Sequence, residues 1–416
     1  MVEALKVILW TAYFISLYFA VFWLLVLLEN KPRRRPTILE KLPFVSIVIP
    51  AYNEEKKLRP TIESVLKLDY PKEKYEIIVI NDGSRDNTEK TSREIIKEYK
   101  DFNIRLFSQK NKGKGAALNN GLRRSKGEYF ICLDADSYVS KDALRKILPH
   151  FTNNVAAVLP LLKVSRPKTI LQKMQWLEYL VNMFYKELMS KLDCVHVAPG
   201  PFSVYKKSIL QKVGGFDENN LTEDLEISLR LQKHNYRIVQ LLNTDVYTIA
   251  PSNFKELYKQ RNRWYKGSVL NAITYRKMMF NRNYGDFGII QMPTIIISGM
   301  IAMVILISLA YYMLRPQIEY LHNLSFINFD MITLLQNISM SFHYLDMNYT
   351  TMLLVGIMLS LSLFILMKAR KNTNEQKVMR HGIFSFLAYL MFYFFILGIV
   401  WIGIVFDFIR GKRQRW

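Results

Sequence analysis

The distribution of apolar residues constrains this chain more than any other feature. Val7 to Leu28 is an almost unbroken apolar stretch, and three more follow late in the chain, at Phe287 to Leu314, Thr351 to Met367 and Ile383 to Ile409. A helix of about 20 apolar residues spans the roughly 30 Å hydrocarbon core of a bilayer. The sequence therefore predicts a multi-pass membrane protein with one large polar unit between the first and second spans. Lys31, Arg33, Arg34 and Arg35 follow the first span at once, and the bias of basic residues toward the cytoplasm places that end and the polar unit there. A cleaved signal peptide would carry its charge in front and small residues behind, so this first span reads as an anchor.

Composition narrows the classes further. With 57 Lys and Arg against 35 Asp and Glu the formal charge is +22. No nucleic-acid module accompanies that charge, and much of it lies near the span borders, so the bilayer is the expected partner and nucleic acid is not. Half of the residues are apolar, which excludes a disordered tail, and two Cys exclude a disulfide scaffold. Cys132 and Cys194 fall in apolar stretches of the cytoplasmic unit and read as reduced core residues.

Counting crossings leaves one conflict. The chain would come in after Arg35, go out after Leu314, return after Met367 into the basic linker Lys368 to His381, and go out again after Ile409. The terminal run from Arg410 to Arg415 would then face outward, against the charge rule. Either the amphipathic stretch Ile327 to Phe342 makes a further excursion or one of the four spans is not a crossing. Asn-x-Ser/Thr triplets at Asn323, Asn337 and Asn348 sit in the outer loop, but Asn220 starts another in the polar unit, so they support the topology weakly.

Within the polar unit, Val45 to Pro50 and Ile77 to Ile80 are short β-branched stretches of the kind that form buried strands. A helix is expected over Arg59 to Leu68, a third strand over Ile104 to Ser108, a second helix over Gly115 to Arg124, and a fourth strand over Tyr129 to Leu133. This alternation predicts an α/β unit with a mostly parallel open sheet, whose ligands gather beyond the carboxyl ends of the strands. Those ends are acidic. Asp82 closes the second strand and can accept from a ring N–H of a base. Asp134 and Asp136, two apart after the fourth strand, can lean the same way and suffice for an Mg²⁺ or Mn²⁺ site completed by substrate phosphates. Taken singly, an Asp-x-Asp is more often a capped loop, and Asp82-Gly83-Ser84 is mostly a turn. Their joint placement on successive strand ends favours chemistry. There is no GxGxxG after the first strand and no GxxxxGK[ST], so dinucleotide and P-loop readings fail.

With these residues in place the sequence resembles the inverting glycosyltransferases of family 2, with their GT-A fold. The matching text is Val45 to Glu55, Asn81-Asp82-Gly83-Ser84, Asn111 to Gly115 through Asn119, and Asp134-Ala135-Asp136. The resemblance implies that Ala51, Tyr52, Glu54 and Asp82 hold the nucleotide, that Lys114 lies along it, that Asp134 also binds substrate, and that Asp136 coordinates the metal. Further along, Thr222-Glu223-Asp224 and Gln260-Arg261-Asn262-Arg263-Trp264 are similar to motifs of the membrane-embedded processive synthases of cellulose, hyaluronan and poly-N-acetylglucosamine. By that resemblance Asp224, next to Glu223, is the catalytic base, while Gln260, Arg263 and Trp264 line the acceptor end and the diphosphate. Read alone, these would be helix caps and an interfacial anchor. Ala198 to Phe202 and Gly214 to Glu218 fit the same group.

The expected activity is transfer of a sugar from a nucleoside diphosphate donor, UDP preferred, to a growing polysaccharide passed through the membrane segments. The alternative is a single transfer to a lipid acceptor, kept open by the small membrane part; a scaffold without turnover is a third reading, disfavoured by the intact acidic motifs. The expected organisation is an anchor and linker over 1–42, the catalytic unit over 43–250, an interfacial segment over 251–286, and a membrane region over 287–416. Gln172 to Met189 and Asn253 to Met279 are the candidate membrane-surface helices.

Overall fold

A computed structural model describes residues 2–29, 36–37, 39, 41–152, 154–326, 349–375 and 379–411. The basic cluster after the first span, the stretch Ile327 to Phe342, Asn337 and Asn348, and the terminal tail beyond Gly411 lie outside the described residues. Strand β1 (Val45–Ala51) is the centre from which the sheet grows. Its residues are buried on both faces, as expected for a strand covered by helices on each side. It runs parallel to β2 (Tyr75–Asp82) and to β4 (Tyr129–Cys132), and β2 runs parallel to β3 (Ile104–Gln109). Helices α2 (Leu58–Leu66), α3 (Thr88–Glu98) and α4 (Lys114–Arg124) make the crossovers. These elements agree with the sequence expectation to within a few residues.

The other half of the sheet is mixed. After the short β5 (Tyr138–Val139) and α5 (Ala143–Ile147) come β6 (Val155–Val164), the long α6 (Ile170–Lys191), β7 (Ser203–Lys206), α7 (Lys207–Lys212), α8 (Glu223–Lys233) and β8 (Arg237–Thr248). The sheet order is β3-β2-β1-β4-β7-β6-β8-β5, with β7 antiparallel to both neighbours. Successive side chains on a strand point to opposite faces, and two cores result. Ile47, Ile49, Ile77, Val79 and Ile131 face one, shared with α6, while Val48, Ile78, Ile80, Phe130 and Cys132 face the other, beneath α4.

Helix α9 (Phe254–Thr274) leads through a π-helical turn at Phe287–Gln291 into α10 (Met292–Phe326). With α1 (Val2–Leu28), α11 (Tyr349–Asn372) and α12 (Ile383–Ile409), α10 makes four helices long and apolar enough to cross a membrane. Helix α6, one of the two candidate membrane-surface helices, is largely buried. It packs on β6 and β8 and also meets α1, where Trp23 lies edge-on to Tyr185 at 5.9 Å, as well as α11 and α12. It is thus the layer between the sheet and the membrane helices.

A buried carboxylate pins the first three strands together. Glu76 is fully buried, accepts from Ser46 Oγ at 2.7 Å and from Lys126 N at 2.6 Å, and pairs with Arg105 of β3. Removing one partner of such a group leaves the others unsatisfied in a dry site, which typically costs about 3 kcal/mol. Glu76→Ala should therefore lower the thermal midpoint of the detergent-solubilised protein by roughly 6–12 °C. An unchanged midpoint would show that the strand-pinning role is wrong.

Candidate active site

Lys114 opens α4 at the carboxyl edge of the sheet, just after Gly113, whose φ of 90° turns the chain into the helix. Its ammonium lies 2.6 Å from Asp134 Oδ1 and 3.3 Å from Glu223 Oε1. Two sequence motifs almost ninety positions apart (134 and 223) are thereby held on one cation. Burial alone would pull Lys114 toward the neutral amine, but the Asp134 and Glu223 carboxylates outweigh it and hold the group charged, with Asp224 adding to the effect. Burial pushes Glu223 up, and Lys114 offsets part of that push. Gly200, in the Ala198 to Phe202 segment, closes over this pair: a Cβ there would run into the Lys114 ammonium and both Asp134 oxygens.

Asp136 sits beside this cluster with a different neighbour. Its Oδ2 is 4.0 Å from Lys57 Nζ, and Lys57 in turn holds Glu54 at 3.1 Å. Burial, and then the negative charge of Asp134, push Asp136 up to about 6. The Asp-x-Asp pair is therefore split between two lysines, and neither cation is close enough to Asp136 to relieve it fully. That residual strain is the environment a divalent cation would relieve. Among the described residues no group of three or more His, Cys, Asp and Glu converges to hold a metal by itself. The fit is to an ion held by one or two carboxylates and completed by diphosphate oxygens, the usual arrangement for Mg²⁺.

The nucleotide-side residues form a rim beside the cluster. Asp82, nearly fully buried, accepts from Gln109 Nε2 at 2.8 Å, Lys112 N at 3.0 Å and Gly113 N at 2.9 Å. It shapes the loop that delivers Lys114. A carboxylate offers about four lone-pair sites, and these three donors engage both of its oxygens. Ala51 ends β1 and is buried, while Tyr52 is 44% exposed. The loops after β1 and β2 are tied together, with Asn53 N donating to Ser84 Oγ at 3.0 Å and Glu54 N to Thr88 Oγ1 at 2.8 Å.

Asp224 lies in the first turn of α8, where the helix dipole favours negative charge, and its Oδ1 accepts from Leu225 N at 2.8 Å. Its loop is docked onto α9. Asn271 Nδ2 donates to Thr222 Oγ1 at 3.0 Å and Asn220 Nδ2 to Asn271 Oδ1 at 2.8 Å, and Gly267 lets Thr222 approach so closely that a Cβ would clash with it. The motif helix and the Asp224 loop thus form one unit. Arg263 is close enough to lower the burden on Glu223. Gln260 Oε1 accepts from Arg261 Nη1 at 2.8 Å, and the Arg261 guanidinium stacks on the Trp264 ring at 4.2 Å from its centre.

Sequence reasoning missed three participants. Lys57 and Arg261 carry no motif weight of their own; Arg261 is fully buried and paired with Glu178 of α6. Lys186, also on α6, is pushed down to about 8 by burial, against the charge of Asp224. Lys57 precedes α2, while Lys186 and Arg261 are ordinary helical cations, and each feels a carboxylate far away in the chain.

The arrangement defines a class. A mannosyltransferase from Pyrobaculum calidifontis, solved in complex with GDP-Man and Mn²⁺, superposes with a TM-score of 0.59 over 94% of this chain and 97% of its own, at 19% identity. That likeness shows the fold, a GT-A-like α/β unit with attached long apolar helices. Residues 46–214 match the family described as Glycosyl transferase family 2. The chain is 32% identical over 269 residues to the poly-β-1,6-N-acetyl-D-glucosamine synthase of Staphylococcus epidermidis and 34% identical over 263 residues to that of Staphylococcus aureus strain COL. Each match takes in 61% of this chain but less than two thirds of the relative, 64% and 63% respectively.

The elevated Asp136 yields a stability prediction with a definite sign. In the folded, metal-free protein its carboxyl ionises near 6 rather than near 3.8, so above that pH its charge costs on the order of 2–3 kcal/mol. Asp136→Asn should raise the midpoint of chelator-treated protein at pH 7.5, with the gain fading as the pH falls through 6 toward 4, while it weakens Mn²⁺ binding. A variant less stable than the parent in chelator would contradict this environment for Asp136.

Proposed function

We propose that the protein is an inverting, metal-dependent glycosyltransferase that adds N-acetylglucosamine from a uridine diphosphate donor to the end of a growing polysaccharide at the membrane. The observation that carries this reading is the gathering of Asp134, Glu223 and Asp224 about Lys114, with Asp136 alongside. The choice of sugar rests on the named relatives. UDP rests on Asp82 at the end of β2, whose carboxylate can accept from a uracil N–H.

The chemistry follows from where charge develops. Departure of the diphosphate needs positive charge aimed at its oxygens, in a site where water is largely excluded. Lys114 and Arg263 would donate to it from this chain. A bound divalent cation supplies further positive charge on the same side. Asp224 would take the proton of an acceptor hydroxyl within about 3 Å. Attack opposite the departing group inverts the anomeric centre, so an α-linked donor gives a β-linked product. Trp264, backed by Arg261 on one face, would offer its other face to the acceptor sugar. Gly200 keeps bulk away from Lys114 and Asp134, so the diphosphate can approach them.

Detergent-purified protein incubated with radiolabelled nucleotide sugars, with and without chelator, tests this directly. The expected product is a polymer from UDP-N-acetylglucosamine that is lost with chelator, and Asp224→Asn should reduce transfer by roughly 10³-fold while donor binding persists. One sugar on an organic-soluble lipid would replace the polymer reading with lipid glycosylation. Undiminished transfer by the variant would remove Asp224 as base.

A further inference from the structure

Helix α12 has the length of a membrane crossing, since 27 residues of helix extend about 40 Å. It packs on α10, where Trp401 lies against Gly299 and Leu306 against Gly398, and it also meets elements outside the membrane-length helices. Just before its start, Lys163 of β6 pairs with Glu375 at 3.1 Å and donates to Thr373 O at 3.3 Å. His381 then lies edge-on to Trp176 of α6, with ring centres 4.8 Å apart. At the middle, Tyr393 donates to Glu178 Oε2 at 2.7 Å, the carboxylate that also holds Arg261 of α9. Near the end, Trp401 stacks flat on Tyr265 of α9, with centres 5.1 Å and planes 9° apart. Asp407 Oδ2 finally lies 3.6 Å from Lys266 Nζ and 3.4 Å from Asn262 Nδ2.

The residues just before α12, its middle and its end therefore touch the catalytic unit or α9. A helix that crossed would part its ends by the roughly 30 Å hydrocarbon core, and α6 or α9 would have to cross with it. Helix α9 cannot, because it carries Lys255, Glu256, Lys259, Arg261, Arg263 and Lys266 within 21 residues, and charged side chains at the bilayer centre cost several kcal/mol each. Along the side of α12 turned away from the catalytic unit, Phe384, Met391, Phe392, Phe406 and Ile409 are exposed. One flank meets protein and the other offers a continuous apolar surface.

We infer that α12 does not cross the bilayer but lies in the leaflet beside the catalytic unit, with both of its ends on the catalytic side. Among the described residues three crossings remain, by α1, α10 and α11. Arg410 then falls on the same side as the catalytic unit, and the conflict with the charge rule disappears. The same placement lets α12 buttress the motif helix: Tyr393 and Glu178 hold Arg261 behind Trp264, and Asp407 holds Asn262 and Lys266. This inference stands apart from the choice of sugar or acceptor.

The test uses full-length protein in sealed membrane vesicles of both orientations and a membrane-impermeant maleimide. Native Cys132 and Cys194 are buried, so single substitutions at exposed positions report alone: Met379→Cys before α12, Arg410→Cys after it, Gly411→Cys as a second marker of that end, and Lys90→Cys on the catalytic unit. All four should label in one vesicle orientation and lose labelling together in the other. Labelling of the 410 and 411 markers from the face opposite Met379→Cys would overturn the inference.

Discussion

The contact on which the rest depends is the ammonium of Lys114 held between Asp134 and Glu223. Without a cation there, the buried Glu223 and the half-buried Asp134, from opposite halves of the sheet and with Asp136 and Asp224 beside them, would repel each other. Unpaired buried charge of this kind is expensive. One lysine makes the acidic cluster tolerable, and it leaves Asp136 incompletely satisfied, the environment on which the proposed metal-assisted chemistry rests.

Around that contact the fold works as a positioning device. Asp82 shapes the loop that opens α4, and Glu76 ties the strands that carry both. On the far side, Thr222, Asn220 and Asn271 lock the Asp224 loop onto α9, so the candidate base and the Gln260 to Trp264 motif move as one body. Behind α9 stand Glu178 of the catalytic unit and Tyr393 and Asp407 of α12. Structural continuity thus runs from the carboxyl edge of the sheet to the membrane helices through side chains that never reach the donor.

Strands β1 and β2 were legible because each is a short β-branched stretch ending in polar residues, and buried parallel strands leave that signature; β3 and β4 were legible from their place in the alternation of strands and helices. The acidic motifs were legible by their place at those strand ends and by resemblance. The other half of the sheet was not, since β6 and β8 carry Lys163, Arg237 and Asp245 among their apolar residues, and β5 and β7 are very short. Lys57, Lys186 and Arg261 escaped notice for a different reason. Such a cation acquires meaning from a partner brought to it by tertiary structure, and Arg261 with Glu178 is separated by 83 positions.

A structure of the protein with an intact nucleotide sugar and Mn²⁺ tests the central claim most directly. The account predicts the ion between Asp136 and the diphosphate, Lys114 against the same phosphates, and the Asp224 carboxylate on the opposite side of the sugar from its leaving group. A donor bound with Asp136 and Asp224 opening onto separate cavities, or with Lys114 turned away from the phosphates, would contradict it.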